Sequence, residues 1–400
     1  MRKKLGIIFC MFCICFFCLG NVEAAKIKAE PVLKVFIGNA SSTSVALNGE
    51  FAVYADGKKL SLKDKIGNAV TIRLQGKSFI VQGNEVKALS IELRPVTVNT
   101  TVSVVGKKYR GGLLFKSSGG TMQIINTVGL EDYLRGVVPK EMSESWPAEA
   151  LKAQAVAART FALYTKDEEK HEGYDLCSTT HCQAYGGIGS EAAAVNAAVD
   201  ATRGEVMLHD GQIIYAAFHS DSGGYTANSE EVWGGSQAYL RSVKDDTTGA
   251  PHNKWQEIYT VGEVEALLRD NGYYIGTLKE VSLTPLKMGK GKTSDRYESG
   301  RVRSVRFNGS KGTVSLTGNT MRNVFDLSST LFDVHSSTEQ KWGQVHSFGK
   351  KKNEKLVFEG HGWGHGLGMS QWGAKIMSAK NDYKKILHHF YSDVVLKKMY

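Results

Sequence analysis

The segment that most restricts how this chain can fold runs from Gly360 to Ala374. Over residues 360–368, five glycines alternate with two histidines, a tryptophan and a leucine. Glycine loses the most backbone entropy on ordering, so the segment makes a poor core strand and cannot form a helix interior. It predicts a loop whose bare main chain is closely approached by another group, with polar side chains beside it. The alternative is a glycine-rich loop whose histidines only satisfy local carbonyls.

The N-terminus, residues 1–24, has the features of a secretory signal. Arg2, Lys3 and Lys4 precede an apolar run over residues 5–19, which is shorter than the roughly 20 residues that span a bilayer. Small residues lie around Ala24, so we expect export with cleavage near this position. The alternative is an uncleaved anchor, which a tilted or thinned bilayer would accept. Both alternatives place the following domain outside the cytoplasmic membrane.

Charge and cysteine usage agree with an exported protein. The formal net charge is +10, and +8 remains when three positive residues and one negative residue of the leader are removed. A basic exported protein most simply meets an anionic wall polymer or a membrane surface. The lysines are dispersed without an aromatic-interleaved basic motif, which argues against a nucleic-acid partner. Only Cys177 and Cys182 lie beyond the leader, too few for the disulfide framework of a small secreted scaffold.

The pattern of short strands and amphipathic helices predicts an α+β fold. Residues 25–128 are expected to be β-rich, because β-branched and aromatic runs alternate there with Asp-Gly and Gln-Gly turns. Residues 129–400 are expected to form a mixed domain with an insert at about 240–345. Strands are expected near residues 275–283, 302–307, 312–316 and 355–359, with a hairpin over 205–219 that turns at Asp210-Gly211. No parallel βαβ rhythm is present.

Helices are expected where apolar residues recur on one face. The clearest begins after Pro147 and continues through roughly Lys166. A second alanine-rich helix is expected to start at Ser190, as its N-cap, and to end near Gly204. Further helices are expected over residues 261–271, 320–327, 372–379 and 383–391.

Glu141 is the candidate acid–base residue. It lies in the segment 137–142, between an apolar strand-like stretch and the alanine-rich helix. Its neighbours Val138 and Met142 can partly desolvate the carboxyl, which raises its pKa and suits it to donate a proton near neutral pH. A single glutamate is more often solvated surface, so this interpretation depends on what the fold brings next to it.

A loop between the two alanine-rich helices carries two thiols and two imidazoles, at His171, Cys177, His181 and Cys182. These four side chains match the ligand set of a tetrahedral Cys2His2 zinc site, although the spacing is not that of a zinc finger. A four-ligand site is closed and would hold the loop rather than activate water. The alternative is a short disulfide between the cysteines with two exposed histidines.

Other polar groups suggest a rim for a polar substrate. Ser220 and Ser222 lie in a glycine-containing turn after the hairpin, without the Gly-x-Ser-x-Gly elbow of a serine hydrolase. His361 and His365 are four residues apart, but the glycines between them prevent a helix and no intervening glutamate exists, so a zincin site is disfavoured.

Five stretches occur in a fixed order: residues 131–142, 150–160, 220–224 and 317–322, and the closing glycine motif. Together they resemble the stage II sporulation protein D and LytB family of cell-wall proteins. The resemblance extends from about Leu130 to the end of the chain. The β-rich region before it is not diagnostic.

The resemblance implies a lytic transglycosylase that cuts peptidoglycan glycan strands, preferably peptide-stripped, between N-acetylmuramic acid and N-acetylglucosamine. The matching acid is Glu141, which would protonate the glycosidic oxygen and then take a proton from the muramic C6 hydroxyl, giving a 1,6-anhydro product. Because this nucleophile belongs to the substrate, a second carboxylate is not required. The resemblance also implies structural Zn²⁺ on the four loop ligands. The residues expected to contact substrate are Tyr185, Ser220, Ser222, His361, His365, Ser370 and Gln371.

Two other functions stay open from the sequence. One is a LytB-like amidase enhancer that binds wall polymer without cutting it, and the other is zinc-dependent hydrolysis. The sporulation branch of the family acts beside an amidase and a membrane scaffold, so these are the expected protein partners in septal wall remodelling.

Overall fold

The computed structural model describes residues 29–62, 66–168, 171–290, 292–338, 346–347 and 354–400. The predicted signal at residues 1–24 lies outside these ranges. Within them, no helix combines the length and the apolar character needed to cross a lipid bilayer. The predicted α+β class is confirmed.

The N-terminal region is built from strands, as its turn-separated runs predicted. Along β5, for example, Val70 and Ile72 are buried while Ala69 and Thr71 are exposed, which is the alternation of a strand with one face on a core. The strands are β1 (Val32–Ala40), β2 (Ser42–Asn48), β3 (Phe51–Ala55), β4 (Lys58–Lys59), β5 (Ala69–Gln75), β6 (Ser78–Val81), β7 (Asn84–Val86), β8 (Ser90–Pro95), β9 (Thr101–Val104), β10 (Lys107–Arg110), β11 (Gly112–Ser118) and β12 (Thr121–Gly129).

These strands form two sheets. One has the order β1-β12-β11-β8-β3-β4, and the short strand β13 (Leu176–Cys177) joins its edge parallel to β1. The other has the order β10-β9-β2-β5-β6-β7. Strand β13 belongs to the cysteine loop, so this edge attaches that loop to the N-terminal sheet.

Three helices follow the strands: α1 (Leu130–Glu141), α2 (Ala148–Asp167) and α3 (Ala193–Ala201). Helix α2 confirms the prediction after Pro147, and its alanines allow close burial on several sides. The prediction of Ser190 as an N-cap was wrong, because Ser190 ends a 3-10 turn over Gly187–Ser190. The next residue, Glu191, is extended and accepts two hydrogen bonds from Arg110, so the helix starts only at Ala193.

The rest of the described chain contains short strands and helices, some in the predicted places and others that were not predicted. They are β14 (Glu205–His209), β15 (Gln212–Ile213), β16 (Phe218–His219), α4 (Ser229–Val232), β17 (Trp255–Thr260), α5 (Val261–Asp270), β18 (Leu278–Ser282), β19 (Ser304–Gly309), β20 (Thr313–Thr317), α6 (Gly318–Val324), β21 (Phe332–Ser336), β22 (His346–Ser347), β23 (Lys355–Gly360), β24 (Met369–Ser370), α7 (Gln371–Met377), α8 (Tyr383–Phe390) and β25 (Val395–Lys398). Among those that were not predicted are α4, β17, β21 and β25.

The predicted hairpin is shorter than expected. Asp210 and Gly211 form its turn with positive φ angles of 49° and 77°, as a two-residue hairpin turn requires. The ladder ends at Ile213, and β16 instead pairs in parallel with β24. The end of the glycine motif is therefore attached directly to the turn that contains Ser220 and Ser222.

Two large hydrophobic clusters organise the described residues. The first joins the N-terminal sheets to α1, α2, α3 and α8, so the β-rich region and the helices share one core. The second is confined to residues 264–358 and packs α5 and α6 against β18, β19, β21 and β23. The glycine motif follows β23 and leads to α7, so it crosses from the second cluster to the first.

Candidate active site

Glu141 is the last residue of α1, and its side chain is half-buried. Gln371 Nε2 donates a hydrogen bond to Glu141 Oε2 at 3.2 Å, and the backbone of Ala184 also hydrogen-bonds the carboxyl. Burial raises the pKa of Glu141, and these two uncharged donors offset only part of the rise. The C-terminal end of a helix also disfavours a carboxylate. The carboxyl therefore stays protonated to a higher pH than an ordinary glutamate.

Gln371 is placed by the start of α7. Ser370 caps this helix by accepting a hydrogen bond from Gly373 N–H at 3.1 Å. Besides Glu141, Gln371 Nε2 lies 3.4 Å from the acceptor Gln154 Oε1, on α2. The end of the glycine motif and the end of α1 thus meet at one carboxyl.

The hydroxyls of Ser222 and Ser370 are fully buried rather than exposed on a rim. Ser222 Oγ donates to Asp245 Oδ2 at 2.6 Å, and Ser370 Oγ accepts from Ser222 N–H at 3.3 Å. Neither hydroxyl is open to a ligand, so the predicted substrate contact is replaced by a structural role. Ser220 is half-buried, and its carbonyl accepts from Trp372 N–H at 3.0 Å. Together these contacts fix the start of α7.

His365 lies in the middle of the motif, between His219 and Trp233, with ring centroids 5.4 and 5.6 Å away. Its Nδ1 accepts a hydrogen bond from Leu367 N–H at 3.0 Å. Burial, with the nearby charges of Arg301 and Arg322, lowers the pKa of His365 to about 4. The imidazole is therefore neutral at physiological pH, and the backbone of Phe218 hydrogen-bonds its one N–H donor.

A buried arginine lies beneath the motif. Arg301 is 1% exposed, and its guanidinium donates to the carbonyl of Ser222 at 2.9 Å. Burial lowers its pKa to about 10, so it still carries its charge at neutral pH. A Cβ at Gly366 would lie 2.3 Å from this guanidinium, and Gly366 has a φ of 85°. The close approach predicted for the glycine motif is thus made by an arginine of the same chain.

The two other residues that were predicted to contact substrate are His361 and Tyr185. His361 begins the motif, and its Nδ1 is 2.7 Å from the carbonyl of Asn253. Tyr185 is 3% exposed, packs against Tyr109 and Tyr133 with tilted rings, and donates to Asn126 Oδ1 at 2.9 Å. Both the ring and the hydroxyl of Tyr185 are used in the core, so the predicted substrate contact is replaced by packing.

The predicted metal ligands come together. One ligand atom from each of His171, Cys177, His181 and Cys182 lies within 4.8 Å of the others. No disulfide joins the two cysteines, and their sulfurs lie 3.1 Å apart. Burial raises the pKa of the Cys177 thiol, but hydrogen bonds from Thr179, Cys182 and His181 bring it down to about 7. Two thiols and two imidazoles converging in this way fit tetrahedral Zn²⁺.

The cysteine loop leads directly to the donor at Glu141. Gln183 is 1% exposed, accepts from the Tyr133 hydroxyl at 3.2 Å and donates to the carbonyl of Ala158 at 3.4 Å. The next residue is Ala184, whose backbone contacts Glu141. The loop ligands are therefore continuous with the segment that orients the carboxyl.

Three residues of the site were missed from the sequence: Gln154, Asp245 and Arg301. Gln154 was hidden among the alanines of α2. Asp245 and Arg301 both contact Ser222, which lies 23 and 79 positions before them in the sequence. No local sequence spacing indicates the contacts of Asp245 and Arg301. Gln154 could have been identified, because it is a polar residue on an otherwise apolar helix face.

Comparison with known proteins identifies related sequences. The family SpoIID, stage II sporulation protein, matches residues 118–209, and a domain of unknown function matches residues 236–368. An uncharacterized protein of Brachyspira hyodysenteriae is 34% identical over 293 residues, which are 72% of each chain. The amidase enhancer of Bacillus subtilis is 31% identical over 395 residues, covering 90% of this chain but 53% of the enhancer. Stage II sporulation protein D of Bacillus subtilis is 28% identical over 272 residues, covering 64% of this chain and 70% of that protein.

Proposed function

The chain belongs to the SpoIID/LytB family, and from this premise we propose that it is an exported peptidoglycan lytic transglycosylase. Family membership supports the coarser description, a sporulation- and cell-wall-related protein. The reaction, its substrate and the exported location are our proposal. The chain spans about half the length of the amidase enhancer, so the activity of that whole protein is not carried over.

The observation that carries the proposal is the environment of Glu141. Its carboxyl is half-buried, its pKa is raised by burial, and its hydrogen-bond partners are the uncharged Gln371 and the backbone of Ala184. A general acid works best when it keeps its proton near the working pH. A cationic partner would remove this property, and neither of these donors carries a charge.

The proposed reaction needs one carboxyl. Glu141 gives its proton to the oxygen that links muramic acid C1 to the next sugar, and the C1–O bond breaks. The resulting carboxylate takes the proton of the muramic C6 hydroxyl, whose oxygen forms a new bond to C1. The products are a 1,6-anhydro end and a free sugar hydroxyl, no water is consumed, and Glu141 is protonated again. Gln371 keeps the carboxyl oriented through both proton transfers.

The loop ligands have a supporting role in this proposal. His171, Cys177, His181 and Cys182 would hold Zn²⁺, which supplies a closed cross-link rather than a reactive water. The cross-link would fix the chain that continues through Gln183 to Ala184. We expect about one zinc per chain by elemental analysis, and we expect chelation to lower the thermal unfolding temperature. Unchanged stability in a chelated, metal-free protein would contradict the assignment.

The proposed partners follow from the setting. Peptide-stripped glycan strands are the substrate, and a wall amidase that strips them and a membrane scaffold of the sporulation septum are the expected protein partners. The net charge of +10 suits an anionic wall polymer.

Mass spectrometry of the products tests the reaction. Wild-type protein incubated with purified peptide-free glycan should release fragments lighter by one water than hydrolysis products. Glu141→Gln should lower their release by about 10²- to 10⁴-fold without loss of folding. Release of full hydrolysis products by the wild type would instead support hydrolysis.

The amidase enhancer remains a second candidate, because the likeness to that protein covers 90% of this chain. In this case the chain binds wall polymer and stimulates a partner amidase. Stimulation that survives Glu141→Gln, with no anhydro products from the wild type, would favour this function.

A further inference from the structure

A cavity of about 670 Å³ lies where the glycine motif begins, within the stretch 236–368 that matches a domain of unknown function. Its lining combines an indole, an amide, an imidazole, two carboxylates and an ammonium group. These are Trp255, Gln256, His361, Asp333, Glu359 and Lys254. Trp255 is seated on Gly360, where a Cβ would lie 2.1 Å from the ring. A cavity with one aromatic wall and several hydrogen-bonding groups suits a polar ligand such as a sugar.

The two carboxylates in this cavity already have hydrogen-bonding or charged partners. Asp333 is paired with Arg296 and accepts the N–H of Leu286 at 3.0 Å. Glu359 accepts from Gln256 Nε2 at 2.7 Å, and its Oε1 lies 3.7 Å from His335 Nε2. Both carboxylates are therefore already engaged.

Lys254 differs from the two carboxylates. It is exposed, and within the part of the chain that the structure describes it forms no ion pair, although Asp333 and Glu359 line the same cavity. An unpaired ammonium group at the edge of a cavity is a position for an anionic group of a ligand.

The glycine motif connects this cavity to Glu141. His361 lines the cavity at one end of the motif, and Gln371 contacts Glu141 at the other. Between them, Trp363 is 45% exposed and its ring centroid lies 4.3 Å from that of His252. The motif therefore presents an exposed aromatic ring at a sequence position between His361 and Gln371, and such rings pack against the apolar faces of sugars.

We propose that the cavity is an outlying glycan subsite in which Lys254 binds the free lactyl carboxylate of a peptide-stripped muramic acid. Attachment of a stem peptide converts this carboxylate into a neutral amide, so a cation here distinguishes stripped from peptide-bearing strands. The inference rests on the proposed function, since it takes the same polymer as ligand. It makes Lys254 a specificity-determining residue remote from the reacting bond.

Binding measurements on the full chain carrying Glu141→Gln test this subsite without cleavage of the ligand. The probes are soluble peptide-free glycan and the same glycan with its carboxylates converted to methylamides, compared at low ionic strength. We expect the charged glycan to bind about three- to tenfold more tightly. Lys254→Met should reduce its affinity to that of the neutral glycan, and Lys254→Arg should retain most of the difference. Lys279→Met, at an exposed lysine of β18, is the matched control and should change nothing.

Equal affinity for the two probes, or an equal effect of Lys254→Met on both, would overturn the proposal. Tighter binding of glycan that still carries stem peptides would also overturn it, because the cavity would then be a peptide site. The cleavage assay is separate. Anhydro products from the wild type without a charge preference would refute only the subsite, whereas a charge preference without anhydro products would refute only the reaction.

Discussion

Two glutamates on helix α1 meet opposite electrostatic conditions. Glu131 lies in the first turn and is 2% exposed, whereas Glu141 ends the helix and is half-buried. Burial alone raises the pKa of both. Arg159, itself fully buried, donates to Glu131 at 2.9 and 2.7 Å and holds its pKa below the ordinary value. Glu141 has only uncharged donors, and its pKa stays raised.

The comparison shows that the less solvent-exposed carboxyl is not the one that keeps its proton to higher pH. The sign of the shift is decided by whether a cation accompanies the carboxyl. The helix ends act in the same direction, because the N-terminal end favours a carboxylate and the C-terminal end disfavours it. Glu131 is thus a structural anion, and Glu141 is suited to carry a proton.

The first prediction concerns the buried ion pair between Glu131 and Arg159, whose loss should have the greatest effect. Arg159→Ala leaves the Glu131 carboxylate buried without its cation, and we expect a loss of about 3–5 kcal/mol in the free energy of unfolding. Urea unfolding at neutral pH measures the loss. Arg269→Ala removes an arginine that is 59% exposed beside Asp270 and should cost less than about 1 kcal/mol. Similar losses for both variants would show that the buried pair has no special weight.

The second prediction concerns the hydrogen bond from Gln371 to Glu141, whose loss should have a smaller effect. Gln371→Leu removes a hydrogen bond that lowers the pKa of Glu141, so this pKa should rise further. A general acid loses activity as pH rises through its pKa, so the fall of kcat/KM with pH should move to higher pH. Stability should drop by about 1–2 kcal/mol. The measurement is the release of anhydro products across pH.

Gln212→Leu, at an exposed position of β15, is the control for this variant and should leave the profile in place. A pH profile that stays fixed or moves to lower pH in Gln371→Leu would mean that Gln371 does not act on Glu141.

Sequence patterns located the elements and the carboxyl, but not its partners. Helix α2 was predictable because its apolar spacing and Pro147 are local signals. The metal ligands were predictable because four residues of the right type fall within twelve positions. The contact from Gln371 to Glu141 joins residues 230 positions apart, and only the fold brings them together. Family resemblance selected Glu141, and burial in the structure raises its pKa in the direction that the sequence predicted.

Ser222 and Ser370 show why polar residues in a motif are easily misassigned. From the sequence, their hydroxyls were expected to contact a ligand. In the structure Ser222 instead donates to Asp245, which lies 23 positions later in the chain, and both serines are buried. Sequence does not reveal whether a hydroxyl faces a buried carboxylate or solvent. Burial of one acidic residue therefore decided the role of two serines.

The smallest expected effect compares the two glutamates directly through pH. Glu131 has a lowered folded-state pKa, so it stabilises the fold above the unfolded pKa of about 4.3, and this stability is lost as pH falls through the folded pKa. Glu141 has a raised folded-state pKa, so its contribution is full below about 4.3 and is lost as pH rises through the folded pKa. Relative to wild type, Glu131→Gln should therefore become less destabilising on acidification. Relative to wild type, Glu141→Gln should become more stable as pH increases. Urea midpoints are measured from about pH 3.5 to about pH 7.5, which spans about one unit below and three units above an ordinary glutamate pKa. The stability differences from wild type should change with pH in opposite directions for the two variants. Parallel slopes would mean that both carboxyls titrate alike and that the contrast drawn from Arg159 is wrong.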